Sequence, residues 1–91
     1  MLKIDFTSKF KRDYKNIKKR IFFDQQEFDY VVNKLANQMP LEAKYYDHEL
    51  LGKYVGHREC HIKPDWLLVY KVKDDILTLT LTRTGTHSDL F

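Results

Sequence analysis

Ninety-one residues, 43% apolar and 32% charged, suit one folded domain with a modest core and exclude a disordered chain. A single cysteine, Cys60, rules out an internal disulfide and agrees with a reducing compartment. No run of ~18 apolar residues marks a membrane span, and the N-terminus has no apolar secretory segment, so the expected location is the cytoplasm, with no membrane partner. The net charge of +3 is unevenly spread: residues 1–23 hold eight Lys/Arg against Asp5 and Asp13, a +6 segment that leaves −3 for the remainder. Such a concentration suits a polyanionic partner, and on charge alone a solvated helix face has an equal claim.

Leu2, Ile4 and Phe6 alternate with Lys3 and Asp5, which predicts a short strand. Thr7 or Ser8 is placed to cap a helix whose Phe10, Tyr14, Ile17 and Ile21 recur at helical spacing and face the core. Asp24, with Glu27 three residues on, has the form of a capping box. It opens a second helix with Phe28, Val31, Val32, Leu35 and Met39 on its apolar face and Pro40 as its stop. Residues 41–49 predict a loop carrying Tyr45, Tyr46, Asp47 and His48. Leu50 to Ile62, interrupted by Gly56, predicts a hairpin, and Leu67–Val72 a central strand buried on both faces. After a turn at Asp74-Asp75, Ile76–Thr82 predicts a last strand with Leu77, Leu79 and Leu81 against the helices and Thr78, Thr80 and Thr82 on the open side. The expected fold is therefore α+β, ordered β-α-α-β-β-β-β: two N-terminal helices packed on one face of a twisted antiparallel sheet, with residues 1–91 as a single domain.

The chemistry-bearing residues crowd the second half. His48, His57, His61 and His87 are all the histidines of the chain, and histidine titrates nearest cellular pH. If Cys60 and Ile62 face the core, His61 faces the open side of the sheet. Arg83 has the parity of the leucine face, so it joins His61 only if the strand ends or twists near Thr82. Cleavage of RNA by internal transesterification needs a base for the 2′-hydroxyl, a cation for the phosphate and an acid for the leaving 5′-oxygen. His87 fits the acid and Arg83 the phosphate clamp, while Asp65, His61 and His48 fit the base or a group that tunes it. The plainer alternatives are a turn role for His57, a core role for Trp66 and Tyr70, and an ion pair from Arg83 to Asp65 or Glu59. A zinc site from His48, His61 and His87 lacks any short His or Cys pairing, so neither metal nor cofactor is expected.

Three segments carry a resemblance: Tyr46-Asp47-His48-Glu49-Leu50-Leu51-Gly52, then Gly56 to Tyr70 with His61-Ile62-Lys63-Pro64-Asp65-Trp66, then Arg83-Thr84-Gly85-Thr86-His87-Ser88-Asp89-Leu90-Phe91. Together, in this order, they resemble the YafQ branch of the RelE/ParE toxin superfamily. The resemblance implies a RelE-like fold and the toxin of a type II toxin–antitoxin pair: an endoribonuclease cutting messenger RNA, largely on the ribosome. By position, His48, His61, Asp65 and His87 are implied as proton-transfer residues and Arg83 as the phosphate-stabilising one, with His87 preferred as acid and Asp65 as base. Trp66 and Phe91 are implied to shape the site and hold RNA, with Arg58 and Lys63 as further substrate-binding residues. The implied partners are the message, a cognate antitoxin, and operator DNA through the toxin–antitoxin complex alone. The competing expectations are a ribonuclease that needs no ribosome and a non-catalytic, ParE-like binding toxin.

Overall fold

In a computed structural model describing residues 1–91, the chain runs β1 (Lys3–Phe6), α1 (Ser8–Ile17), α2 (Gln25–Ala36), β2 (His48–Glu49), β3 (Arg58–Lys63), β4 (Trp66–Lys73), β5 (Thr78–Gly85) and α3 (His87–Leu90). Short 3-10 turns at Ala43–Tyr45, Gly52–Tyr54 and Asp74–Ile76 link the later elements. No helix is long and apolar enough to cross a membrane. Both long helices start where their caps predict. Thr7 Oγ1 accepts the Phe10 N–H at 2.9 Å, and Asp24 Oδ1 accepts the Glu27 N–H at 3.1 Å. The Thr7 hydroxyl also donates to the Thr82 carbonyl at 2.7 Å, so the start of α1 is tied to β5.

The first helix is shorter than its periodicity suggests. It ends at Ile17, and Ile21 lies fully in solvent. The turn after α1 instead sends Phe22 and Phe23 onto Trp66, with ring centroids 6.1 and 5.3 Å away, which secures the core without Ile21. Likewise α2 ends at Ala36, before Pro40, and Met39 is exposed. At the other end, Asp74–Ile76 turns and Leu77 takes a left-handed conformation (φ 49°), so β5 starts at Thr78 and only Leu79 and Leu81 reach the core.

The five strands are ordered β1-β5-β4-β3-β2. Strands β2 to β5 alternate antiparallel through short connections, whereas β1 lies parallel to β5. The two-helix connection after β1 frees it from the hairpin constraint, so one edge departs from the all-antiparallel expectation. On one face, α1 and α2 cover Cys60, Ile62, Trp66, Leu68, Tyr70, Leu79 and Leu81 in the main core. On the other, Leu67 and Val69 meet Tyr54, Leu90 and the half-buried Leu50 in a smaller apolar patch. The central strand β4 is thus buried on both faces, as its unbroken apolar run requires.

Two irregularities set which residues share a face. Between β4 and β5, Val69 pairs with Arg83 but Tyr70 pairs with Leu81, so Thr82 is an extra residue. A second shift between His61 and Lys63 makes Ile62 the extra residue on β3.

Candidate active site

The bulge at Thr82 decides the side of Arg83. Strict alternation would put it with Leu79 and Leu81; one unmatched residue turns it to the opposite face. Directly opposed residues of neighbouring strands project to the same side. The register therefore builds two rows on the face away from α1 and α2: Glu59–Val69–Arg83, and His61–Leu67–Gly85. With strands ~4.8 Å apart, each row spans about 10 Å. Leu67 and Val69, each 0% exposed beneath Tyr54, Leu50 and Leu90, separate the polar ends.

At one end, His48 and His61 converge on Glu59. Their Nε2 atoms lie 3.5 and 3.7 Å from Glu59 Oε1, and the two rings are 6.3 Å apart. Glu59 is only 4% exposed, and its Oε2 has no hydrogen-bond partner. Each Nδ1 faces a carbonyl, His48 that of Tyr46 at 2.6 Å and His61 that of Pro64 at 3.2 Å. Both imidazoles are thereby oriented from both sides, with a buried carboxylate beneath them.

At the other end, Arg83 is clamped. Its Nε and Nη2 donate to Asp13 at 2.6 and 3.2 Å, and Nη1 donates to the Tyr54 hydroxyl at 3.1 Å. Asp13 also accepts the Thr84 N–H at 3.2 Å. The hydrogen bond to Asp13 pushes the guanidinium further above its already high value, so it stays cationic throughout. A guanidinium carries more N–H donors than these contacts use, and one remains on each terminal nitrogen for an anion.

His87 opens α3, one turn of helix closed by a reciprocal cap between Thr86 and Asp89. A Cβ on Gly85 would lie 3.0 Å from the Asp89 Cβ, so any larger residue would push α3 outward from β5. Asp65, on the β3–β4 turn, accepts the His87 backbone N–H at 2.9 Å. The His87 ring leans on Phe91 at 5.4 Å, and Phe91 meets Tyr54 edge-on at 5.9 Å. Arg83, Tyr54, Phe91, His87 and Asp65 form one chain of contacts at the β3–β4 end of the sheet. His57 sits beside Tyr54, with ring centroids 6.0 Å apart, in the turn after Gly56.

Two expected substrate contacts need correction. Trp66 is 0% exposed; its indole N–H donates to Thr84 Oγ1 at 2.9 Å, so it holds the core and cannot touch RNA. Arg58 shares the face of Cys60 and Ile62 and pairs with Asp47 at 3.3 Å and Glu49 at 3.6 Å, on the opposite side of the sheet from His61. Lys63, turned by the Ile62 bulge, pairs with Asp24 at 3.3 Å and lines the cleft that also holds His48 and His61. Arg83 has Asp13 as its partner, not Asp65 or Glu59. The residues passed over are Glu59, Asp13 and Tyr54. Only Glu59 had a signal, its i, i+2 relation to His61 on one strand.

The family described as "Bacterial toxin of type II toxin-antitoxin system, YafQ" matches residues 2–91. The chain belongs to this family. The mRNA interferase toxin YafQ of Escherichia coli (strain K12) is 39% identical over 89 residues, covering 97% of this chain and 94% of that protein. A metal-bound toxin from Helicobacter pylori superposes with a TM-score of 0.92 at 47% identity, over 100% of both chains. YafQ in the E. coli DinJ–YafQ complex superposes with a TM-score of 0.86 at 38% identity, over 100% of this chain and 99% of that one. In this YafQ-family chain, no three His, Cys, Asp or Glu side chains are grouped to hold a metal ion.

Proposed function

We propose that this protein is the toxin of a type II toxin–antitoxin pair and acts as an endoribonuclease on messenger RNA at the ribosome, in the cytoplasm, as a single domain of residues 1–91. The observation that carries the chemistry is the hydrogen bond from the His87 backbone N–H to Asp65 at 2.9 Å, with the His87 ring linked through Phe91 and Tyr54 to a guanidinium fixed by Asp13. An acid, a carboxylate base and a phosphate clamp then share one end of the sheet.

In this reading the free oxygen of Asp65 takes the 2′-hydroxyl proton. The 2′-oxygen attacks phosphorus, and the bond from phosphorus to the 5′-oxygen breaks. His87 gives its proton to that leaving oxygen, and a 2′,3′-cyclic phosphate and a 5′-hydroxyl result. Arg83 donates its spare N–H groups to the phosphate oxygens as their charge grows, and its fixed geometry means little reorganises at that moment. His48 and His61, held by the buried Glu59, line the cleft at the other end of these rows and orient the strand of RNA there. Phe91, exposed beside His87, packs against a neighbouring nucleotide. The cluster of cations at 1–23 supplies sequence-independent attraction to ribosomal or message phosphates. A cognate antitoxin, as in the DinJ–YafQ complex of the relative, holds the toxin inactive, and operator DNA is met only through that complex.

The test compares wild type and His87→Ala on message held in purified initiation complexes and on naked RNA, each with chelator. Wild type is expected to cut the ribosome-held message, leaving a cyclic phosphate end. His87→Ala should lose ~10²–10⁴ in rate with an unchanged fold. Full cleavage by His87→Ala would overturn the assignment of acid, and cleavage of naked RNA at an equal rate would remove the ribosome from the reading.

A further inference from the structure

The largest cleft of the molecule, about 740 Å³, opens at the His48–His61 end of these rows, at the sheet edge where the Ala43–Tyr45 turn meets β3. Tyr46 is one of the residues that line it. This side chain is 68% exposed, although it is large and aromatic and every other tyrosine of the chain is more covered. Its backbone is left-handed (φ 47°, ψ 43°), a conformation that bulky L-residues rarely adopt and that persists only where the surroundings fix it. The Tyr46 carbonyl is the group that orients His48, and its ring stands edge-on to His61 at 5.7 Å. Lys44 and Lys63 line the same cleft, and Lys44 has no carboxylate partner. Leu77, which closes the Asp74–Ile76 turn, shares this left-handed geometry, so what sets Tyr46 apart is the cleft and the lysines beside it.

We propose that Tyr46 is a stacking platform for an RNA base. The cleft takes a nucleotide flanking the cleaved bond, its base against the Tyr46 ring and its phosphate toward Lys44 and Lys63. The inference rests on the ribonuclease reading and adds a substrate subsite to it. A π-face accepts any base, and purines gain most from the overlap. The left-handed turn residue holds the exposed Tyr46 ring beside the histidine pair, edge-on to His61.

Glycine at position 46 separates platform from scaffold, because it removes the ring and suits the left-handed backbone. On the same initiation complexes, Tyr46→Gly is expected to raise KM about 10-fold or more while kcat stays within about 3-fold. Its melting temperature should equal or exceed that of wild type. Tyr46→Trp, with a wider π-face, is expected to lower KM below the wild-type value. An unchanged KM in Tyr46→Gly would overturn the proposal. So would a fall in melting temperature and kcat together, which would make Tyr46 a structural support. Absence of cleavage by the wild type would sink the ribonuclease reading itself, a result distinct from either.

Discussion

Arg58 and Arg83 are the same residue type on the same sheet, and they end in opposite circumstances. Arg58 lies on the helix side, shared between Asp47 and Glu49 beside the Tyr70 hydroxyl, whose own proton goes to Asp47 at 2.5 Å. Burial holds that phenol well above its ordinary range, so it remains a neutral donor there. Arg83 is on the open side, gripped by one carboxylate and one hydroxyl, with only 17% of its side chain exposed. Charge alone does not distinguish them. The contrast lies in the partners: two carboxylates share Arg58, whereas Asp13 and Tyr54 hold Arg83 and leave one N–H free on each terminal nitrogen.

The sharpest break of this comparison is removal of each guanidinium. Arg83→Ala is expected to cost about 10²–10³-fold in cleavage rate, whereas Arg58→Ala leaves cleavage per folded molecule unchanged and costs at most about 1 kcal/mol, since its pairs are solvent-screened. Equal losses in the two variants, measured on the same message, would abolish the distinction. Next comes the support beneath Arg83: Asp13→Asn keeps the shape but loosens the clamp, with a loss of about 10–100-fold. In an Arg83→Ala background the same change should cost nothing more, and additive losses would show that Asp13 acts elsewhere.

Trp66→Phe sharpens the boundary between site and core. It removes the N–H to Thr84 and some volume, for a destabilisation of about 1–3 kcal/mol by denaturant titration, with cleavage per folded molecule retained. Loss of cleavage without loss of stability would return Trp66 to the substrate. The smallest effect concerns Asp89. Its carboxyl is held below the ordinary value, first by the Thr86 backbone N–H and further by the Thr86 hydroxyl and Arg20. A depressed folded value means that the contribution is present above the unfolded value, near 3.8, and is lost as pH falls through the depressed one. Fraying of α3 should therefore start only below about pH 4, visible in His87 and Phe91 resonances; fraying near neutral pH would contradict the cap.

Much of this was readable in residue order. Caps at Thr7 and Asp24, the doubly buried β4 and the outward turn of His61 all follow from local pattern, because each depends on neighbours within a few positions. Ile21 misled because periodicity says nothing of where a turn must begin to deliver Phe22 and Phe23 to Trp66. The parallel placement of β1 is a tertiary choice that no window of sequence contains. The Asp13–Arg83 pair joins residues 70 positions apart, and Tyr54 enters the site from a 3-10 turn without periodic signature. Trp66 carried its motif faithfully, but a motif does not say on which face a side chain lies.

The unmatched Thr82 has a genetic corollary. Identity at each position of β5 matters less than the count of positions between Leu81 and Arg83. Losing one codon there, in frame, would keep every other side chain of the strand and still drive the guanidinium into the layer of Leu79 and Leu81. Among survivors of forced expression, single-codon losses in this stretch should accompany substitutions at Arg83 itself, whereas threonine-to-valine or threonine-to-serine exchanges at 82 should be missing from the collection.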